Sequence, residues 1–388
     1  MDFELSADEL SWRDEVRDFL SESVTDELVA EMRTNGIEYP GPAIKAFRNQ
    51  VADRGWWKLT WPVEYGGLGK GHVFEYIMNT ELTYAGVPKA DLTVTSIAPM
   101  IMRYGTQQNK DEFLPPIAAG ELTVAVGYSE PNAGTDLASL RTSAVLDGDE
   151  WVINGQKLWN SYAHIATHEW LCVRTDTEVP KHRGISVIMV PISSEGIEIR
   201  PLPTWAEHGR TNETFFTDVR VPRTNLIGVA NKGWAYITGA LDLERLLIGT
   251  AGDLRRSVDE LLAWTRLGGV RRASWVSRRL AQLDAEVEAV MLLGLEAAAL
   301  FDSGKIPTRA ATTAKIAVTE LRQRIADTAT QMLGAYGYLS MHDPRAPLGG
   351  LADDLYRDAP LLRFGGGTNE VLRDVLAQRG HGMPTYGR

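Results

Sequence analysis

Hydrophobic residues recur at helical spacing over the first third of the chain. Ser6 and Glu9 form a capping-box signature, and the apolar residues behind it fall on one helical face. Pro42 stands where a second helix would begin. Further helical segments are predicted over 72–86, 91–104 and 106–119, each with a glycine at or just past its end. Residues 1–120 are therefore predicted to form a helical domain.

The pattern changes at Glu121, where apolar residues begin to alternate with smaller or polar ones. This period of two is typical of strands. Asp147 and Gly148 give a hairpin turn signal between two alternating runs. Further short strands are predicted over 170–174, 184–191, 196–201 and 213–221. Residues 121–232 are therefore predicted to be a β domain, either a barrel or a sandwich.

Helical periodicity returns after Gly233 and continues to the end of the chain. Long amphipathic segments are predicted over 234–266, 273–302 and 308–333, and a short final helix over 369–379. Long helices with short connections predict a four-helix bundle over residues 233–388. The expected fold class is an α+β multidomain protein, with helical domains on either side of a β domain.

Composition excludes several classes of function. The net charge of −11 and the lack of a basic run argue against nucleic-acid binding. We find no apolar run of spanning length and no signal-peptide pattern, so we expect a cytoplasmic protein without a membrane span. Cys172 is the single cysteine, which excludes an internal disulfide, and its apolar neighbours predict a core position. The scattered histidines show no metal-ligand spacing, so no metal site is predicted.

Two polar features accompany the first strands of the β domain. A glycine-punctuated turn covers 127–136, and the segment 157–161 places the indole of Trp159 close to the hydroxyl of Ser161. Backbone donors beside an aromatic plate suit a flat, anionic cofactor such as a flavin nucleotide. The alternative is an ordinary β domain with a buried tryptophan, and spacing alone favours that alternative.

The domain order and six motifs together resemble the acyl-CoA dehydrogenase family. The motifs lie at 61–67, 104–121, 128–136, 155–159, 331–338 and 367–370. The resemblance covers nearly the whole chain. It implies FAD as cofactor, a coenzyme A thioester as substrate, an electron-transfer flavoprotein as acceptor, and a homo- or hetero-oligomer, normally a dimer of dimers.

The resemblance also implies roles for individual residues. Tyr128 and Ser129 would lie along the polar edge of the flavin, and Thr135 near the diphosphate. Trp159 would lie against the flavin ring, with the Ser161 hydroxyl at the nitrogen that receives hydride. At the other end of the chain, Gln331 and Gly334 would meet the adenosine half of a neighbouring subunit's FAD, and Thr368 and Asn369 would close over the diphosphate.

The reaction of this family requires a base for the α-proton, and a carboxylate in an apolar pocket suits that task. Many members carry a glutamate just before the Gly-Thr of the C-terminal loop, where this chain has Gly366. A minority, including isovaleryl-CoA dehydrogenase, places the base on the first bundle helix, and Glu244 falls on that position. Leu241 and Ile248 share its helical face. In isolation, Glu244 beside Arg245 would more often be a partly exposed ion pair.

The remaining substrate contacts also follow from the resemblance. Arg245 and Asp242 would contact the coenzyme A arm. Gly366 would leave extra space beside the flavin, which suggests a bulky or branched acyl group. The segment 181–191 also resembles actinobacterial enzymes that act on steroid side-chain thioesters.

One family motif is missing, which leaves other functions open. The Arg-x-x-Phe-Gly stretch that reaches a partner's FAD is absent, although Arg266, Arg271 or Arg272 could replace its arginine. One alternative is therefore a non-catalytic or half-site partner subunit of a heteromeric enzyme. Another is a flavin monooxygenase or an acyl-carrier-protein dehydrogenase of the same fold.

Overall fold

The computed structural model describes residues 4–37, 39–206, 210–267, 274–305 and 307–384. The capping box is confirmed, because the Ser6 hydroxyl accepts from the Glu9 N–H while the Glu9 carboxylate accepts from the Ser6 N–H. A π-helical turn at Thr93–Ile97 interrupts the segment predicted over 91–104. The first helices are α1 (Ala7–Ser23), α2 (Asp26–Asn35), α3 (Pro42–Asp53), α4 (His72–Ala85), α5 (Ala98–Tyr104) and α6 (Gln107–Ala118).

Within the described residues, seven strands then form one mixed sheet. They are β1 (Val124–Gly127), β2 (Ser143–Asp147), β3 (Glu150–Ser161), β4 (His168–Arg174), β5 (Ile185–Pro191), β6 (Ile197–Pro201) and β7 (Thr211–Pro222). The strand order is β1-β4-β2-β3-β7-β6, and β5 pairs with β4. The predicted hairpin at Gly148 joins β2 to β3. β4 runs parallel to β1 and antiparallel to β5, and Cys172 is buried in it as predicted.

The C-terminal part is helical, with two differences from the prediction. The helices are α7 (Gly233–Ile248), α8 (Gly252–Arg266), α9 (Ser274–Asp302), α10 (Thr308–Leu333), α11 (Leu351–Phe364) and α12 (Asn369–Val375). The segment predicted as one helix over 234–266 is two helices, α7 and α8. The prediction also missed α11, which contains Pro360.

The chain divides into two compact units. One comprises Met1–Gln50, Gly69–Lys89 and Arg245–Arg388, and its core contains apolar residues of α8, α9, α10 and α11. Gly252 opens α8 where a side chain would meet the Thr80 carbonyl of α4, at 2.0 Å from an added Cβ.

The other unit comprises Val51–Leu68 and Ala90–Glu244, so it holds α5, α6, the sheet and most of α7. One core cluster gathers residues of α5, α6, β4, β5 and α7, and a second lies within the sheet. None of the described helices combines the length and apolar character that a membrane crossing requires.

Candidate functional site

Trp159 projects from the sheet because the strand that carries it is bulged. The register of β3 against β7 shifts between Leu158 and Asn160, so Trp159 has no partner of its own. Its φ of 69° lies in the left-handed region, which a bulky residue rarely adopts. The side chain is 59% exposed. Trp159 is therefore not a core residue, and its indole is available as a flat contact surface.

The turn after β1 is fixed beside this bulge. The Leu158 N–H donates to the Ser129 carbonyl at 2.9 Å, which brings Ser129 next to the bulged residue. Glu130 and Ala133 exchange two backbone hydrogen bonds and so close the turn. Thr135 lies exposed beyond it, and Ser161 is exposed at the end of β3. The structure thus brings Ser129, Trp159 and Ser161 to neighbouring backbone positions.

A buried lysine anchors the same turn from inside the domain. Lys157 is 0% exposed and donates to the Tyr128 carbonyl at 3.0 Å and to Glu130 Oε1 at 2.9 Å. Glu130 also accepts from the backbone N–H groups of Arg141 and Thr142. Burial opposes ionisation of Glu130, but Lys157 and these hydrogen bonds outweigh burial and lower its pKa. Glu130 therefore remains ionised, and its ion pair with Lys157 holds the turn in place.

Sequence reasoning missed Lys157 and Glu130. A lysine two residues from a tryptophan in a strand looks like part of a solvated face. The bulge changes this, because it leaves Lys157 inside and turns Trp159 outside. The sequence did contain a signal for this pair. Two motifs of the β domain carry opposite charges, at Glu130 and Lys157.

Glu244 lies near the end of α7 and is half-buried, as is Asp242. Leu241 and Leu243 of this helix pack against the same apolar cluster as Tyr128. Burial, with added effects of Cys172 and Glu244, raises the pKa of Tyr128 well above its ordinary value. Glu244 is thus close enough to the start of the 128–136 turn for its charge to affect the pKa of Tyr128.

Gly366, at the position where many family members carry the glutamate base, lies in the loop after α11. Gly366 and Gly367 have φ values of 66° and 96°, which favour glycine. Arg245 Nε donates to the Gly366 carbonyl at 3.4 Å, so the guanidinium lies against this loop. Arg245 is half-buried there, and a contact with a coenzyme A arm stays a prediction.

Thr368 and Asn369 lie at the start of α12, and their side chains have different surroundings. The Thr368 hydroxyl accepts from the Val371 N–H as the N-cap of α12. Asn369 is buried, accepts from Lys315 Nζ at 2.9 Å and donates to the Thr319 hydroxyl at 3.0 Å. The Asn369 side chain therefore anchors the loop from inside, and closure of Thr368 and Asn369 over a diphosphate stays a prediction.

The remaining predicted residues lie at the end of α10. Gln331 is exposed and donates to Asp327 Oδ2 at 2.9 Å, and Gly334 is exposed with a φ of 57°. Both face solvent in this chain, as a contact with another subunit would require. Arg266 closes α8 and is exposed. Arg271 and Arg272 lie outside the described residues.

Comparison with known proteins identifies the family of the chain. Sequence models of the acyl-CoA dehydrogenase N-terminal, middle and C-terminal domains match residues 6–121, 125–219 and 231–381. The chain is 39% identical over 390 residues to acyl-CoA dehydrogenase FadE26 of Mycobacterium tuberculosis, with 97% of each chain covered.

Two solved structures are similar over the full length of both chains. The Tcur3481-Tcur3483 steroid acyl-CoA dehydrogenase superposes with a TM-score of 0.91 at 37% identity. The ChsE4-ChsE5 complex from Mycobacterium tuberculosis superposes with a TM-score of 0.89 at 37% identity. In each case the match covers 100% of both chains.

These findings define the class of the protein as an oxidoreductase with the three-domain acyl-CoA dehydrogenase architecture. The chain belongs to the acyl-CoA dehydrogenase family.

Proposed function

We propose that this chain catalyses FAD-dependent α,β-dehydrogenation of a bulky coenzyme A thioester, with Glu244 as the α-proton base. The observation that carries the proposal is a carboxylate on α7 close to Tyr128, in a chain whose usual base position is Gly366. Glycine has no group that could accept a proton. Glu244 is the acid that family resemblance and this placement both indicate.

The residues of the 128–161 region suit a flavin nucleotide. The exposed indole of Trp159 offers a stacking surface, and the exposed hydroxyls of Thr135 and Ser161 offer polar contacts. Tyr128 and Ser129 would line the edge of the ring, held there by Lys157. When bound, FAD would accept the hydride from the β-carbon. The protein would supply the orientation and the proton acceptor.

The acyl group is proposed to be branched or polycyclic. Glycine at position 366 carries no side chain. By resemblance to the family, this would leave extra space beside the flavin. The structural relative described as a steroid acyl-CoA dehydrogenase supports a steroid side-chain thioester for this chain. Asp242 and Arg245 are proposed to contact the coenzyme A arm, and an electron-transfer flavoprotein is the proposed acceptor.

Replacing Glu244 by glutamine tests the base assignment. The amide cannot accept the α-proton, so we expect flavin reduction to slow at least about 1,000-fold. Purified protein would be mixed anaerobically with a steroid side-chain acyl-CoA while the flavin absorbance is followed. Bound FAD should remain, because Glu244 is not assigned to its binding.

Glu112→Gln is the matched control, since Glu112 is an exposed glutamate of α6. It should bleach at the wild-type rate. If Glu244→Gln also bleaches at that rate, Glu244 is not the base. A wild-type chain that binds FAD but never bleaches with any acyl-CoA would contradict the proposed reaction.

A second candidate is one chain of a heteromeric enzyme. It is favoured by the absent Arg-x-x-Phe-Gly stretch and by a structural relative described as a complex of ChsE4 and ChsE5. Coexpression with a homologous chain would test it. A chain that is colourless alone and yellow only in the joint complex would support this candidate over a self-sufficient enzyme.

A further inference from the structure

A buried carboxyl–amide pair joins three strands directly behind the exposed end of β3. Asn160 of β3 lies between Trp159 and Ser161, and Asn160 and Glu169 of β4 are both buried. Asn160 Nδ2 donates to Glu169 Oε1 at 2.6 Å and to the Val126 carbonyl of β1 at 3.3 Å. Gly127 makes room for the acid, since an added Cβ there would lie 2.1 Å from Glu169 Oε1.

One atom on each side of this pair is unsatisfied. Within the described residues, neither Glu169 Oε2 nor Asn160 Oδ1 has a hydrogen-bond partner, and both are buried. Both are acceptors when the acid is ionised, so they cannot bond to each other. A proton on Glu169 would supply the missing donor. The acid and the amide could then form two complementary hydrogen bonds.

The charges around the pair also favour a neutral Glu169. Lys157 is the positive group nearby, and its ammonium is already paired with Glu130 at 2.9 Å. The other titratable groups around this region include Cys172 and Tyr128, and burial raises the pKa of each above its ordinary value. His164 also lies against the Asn212 side chain that holds Asn160, with its Nδ1 at 3.1 Å from Asn212 Oδ1. An ionised Glu169 would therefore add a second negative charge for one positive charge. Burial raises the pKa of Glu169 to about 8, although Lys157 and Asn160 act in the opposite direction.

The backbone around Asn160 is strained, so neighbouring groups must hold it in place. Trp159 and Tyr162 have φ values of 69° and 63°, and the ladder to β7 is interrupted at Trp159. Such conformations persist where the surrounding structure fixes them. Asn212 Nδ2 donates to the Asn160 carbonyl at 2.9 Å, which fixes the backbone from the β7 side. The Asn160 side chain fixes it from the β1 and β4 side.

We propose that Glu169 is a positioning residue, held as the neutral acid, which fixes Asn160 and thereby the Trp159–Ser161 segment that contacts the flavin. Glu169 acts through Asn160 and touches no reactant. The flavin part rests on the proposed function. The acid–amide pairing does not, and it can be tested without cofactor.

The test compares wild type, Glu169→Gln and Glu169→Ala between pH 6 and pH 9. The folded state binds the Glu169 proton more tightly than the unfolded chain does, so stability falls as the pH rises towards the folded pKa. The melting temperature of the apoprotein should fall by several degrees in wild type and much less in Glu169→Gln, whose amide is neutral at every pH. Glu169→Ala should melt lower than wild type at pH 6.

The dissociation constant of FAD, measured over the same range, tests the positioning role. Wild type should lose at least about tenfold in affinity between pH 6.5 and pH 9, a change that corresponds to one pKa unit of coupling. Glu169→Gln should lose less than about threefold. Glu130→Gln is the matched control, because Glu130 is also a buried glutamate but is ionised. We expect this variant to be less stable than wild type at all pH values.

Parallel melting profiles for wild type and Glu169→Gln would overturn the neutral pairing. A pairing confirmed by melting, with FAD affinity that does not change with pH, would overturn the positioning role. If wild type binds no FAD at any pH while the melting profiles differ as expected, the proposed function fails and the pairing stands.

Discussion

At the scale of single residues, Trp159 depends on one backbone torsion. Strict alternation along β3 would place it on the same side as the buried Lys157. The bulge and the left-handed φ turn it outwards instead. Such a conformation costs about 1–3 kcal/mol. The exposed indole is therefore maintained at the expense of stability, which is expected of a residue that serves a ligand.

Replacing Trp159 by glycine should separate these two effects. Glycine adopts a φ of this sign without strain, and an indole this exposed contributes little packing. Glycine relieves about 1–3 kcal/mol of backbone strain and loses about 1 kcal/mol through the flexibility of the unfolded chain. We therefore expect the free energy of unfolding of the apoprotein to stay the same or to rise by up to about 2 kcal/mol. FAD affinity should fall at least about tenfold, since stacking on an aromatic ring is worth roughly 1–3 kcal/mol.

Urea denaturation and flavin fluorescence titration would measure the two quantities. Trp159→Phe is the control, because it keeps an aromatic face and should retain most of the affinity. Equal losses of stability and affinity in the glycine variant would show that the indole is structural.

The orientation of Trp159 could not be predicted from sequence. A period of two is a property of a regular strand, and a bulge shifts it by one position. The residues that fix the bulge are spread over 126, 160, 169 and 212, on four different strands. Neither Glu169 nor Asn212 belongs to a motif that sequence reasoning selected.

At the scale of elements, the helices and strands with clear periodicity were predicted well. The exceptions have physical causes. The break between α7 and α8 falls at Gly249–Ala251, where close packing of Gly252 on α4 outweighs the continuous apolar pattern. The missed helix α11 contains Pro360, which local signals identify as a helix breaker. Tertiary packing decides both cases, and sequence patterns within one segment do not report it.

The loop after α11 leads to a second prediction. Installing a glutamate at the usual base position by Gly366→Glu should not restore activity to Glu244→Gln. A glutamate at a φ of 66° would be strained, and Arg245 is bonded to the carbonyl of that residue. We expect a loss of about 1–2 kcal/mol in the free energy of unfolding.

Single-turnover flavin reduction and urea denaturation would check the double variant. Gly366→Ala, made in the wild-type background, measures the backbone strain without the carboxyl group. Recovery of reduction in the double variant would show that the loop can adopt the conformation that a glutamate base needs.

At the scale of the whole molecule, family membership and domain order were accessible from sequence because they depend on many motifs in series. The proposed oligomer and its cofactor content depend on surfaces outside a single chain. The exposed end of α10, with Gln331 and Gly334, is where a second subunit is proposed to contribute. The Arg-x-x-Phe-Gly stretch, which this chain lacks, would also reach the FAD of a partner subunit.

The ratio of FAD to chain in the purified protein therefore separates the two candidate functions. A self-sufficient enzyme should carry about one FAD per chain, in an assembly of four chains. A half-site subunit should carry none when expressed alone. Absorbance of the flavin and sedimentation velocity on the same sample would give both values, and Gln331→Ala should lower only the flavin content.

The single thiol of this chain can report how often the sheet opens. Cys172 is buried in β4, and burial raises its pKa well above the ordinary value. A thiol reagent can therefore react only after β4 becomes accessible, and with one cysteine in 388 residues each modification reports that single event. Modification rates with and without added FAD should show how far the cofactor slows this opening, without any substitution in the chain. Equal rates would indicate that the sheet is equally closed in both states.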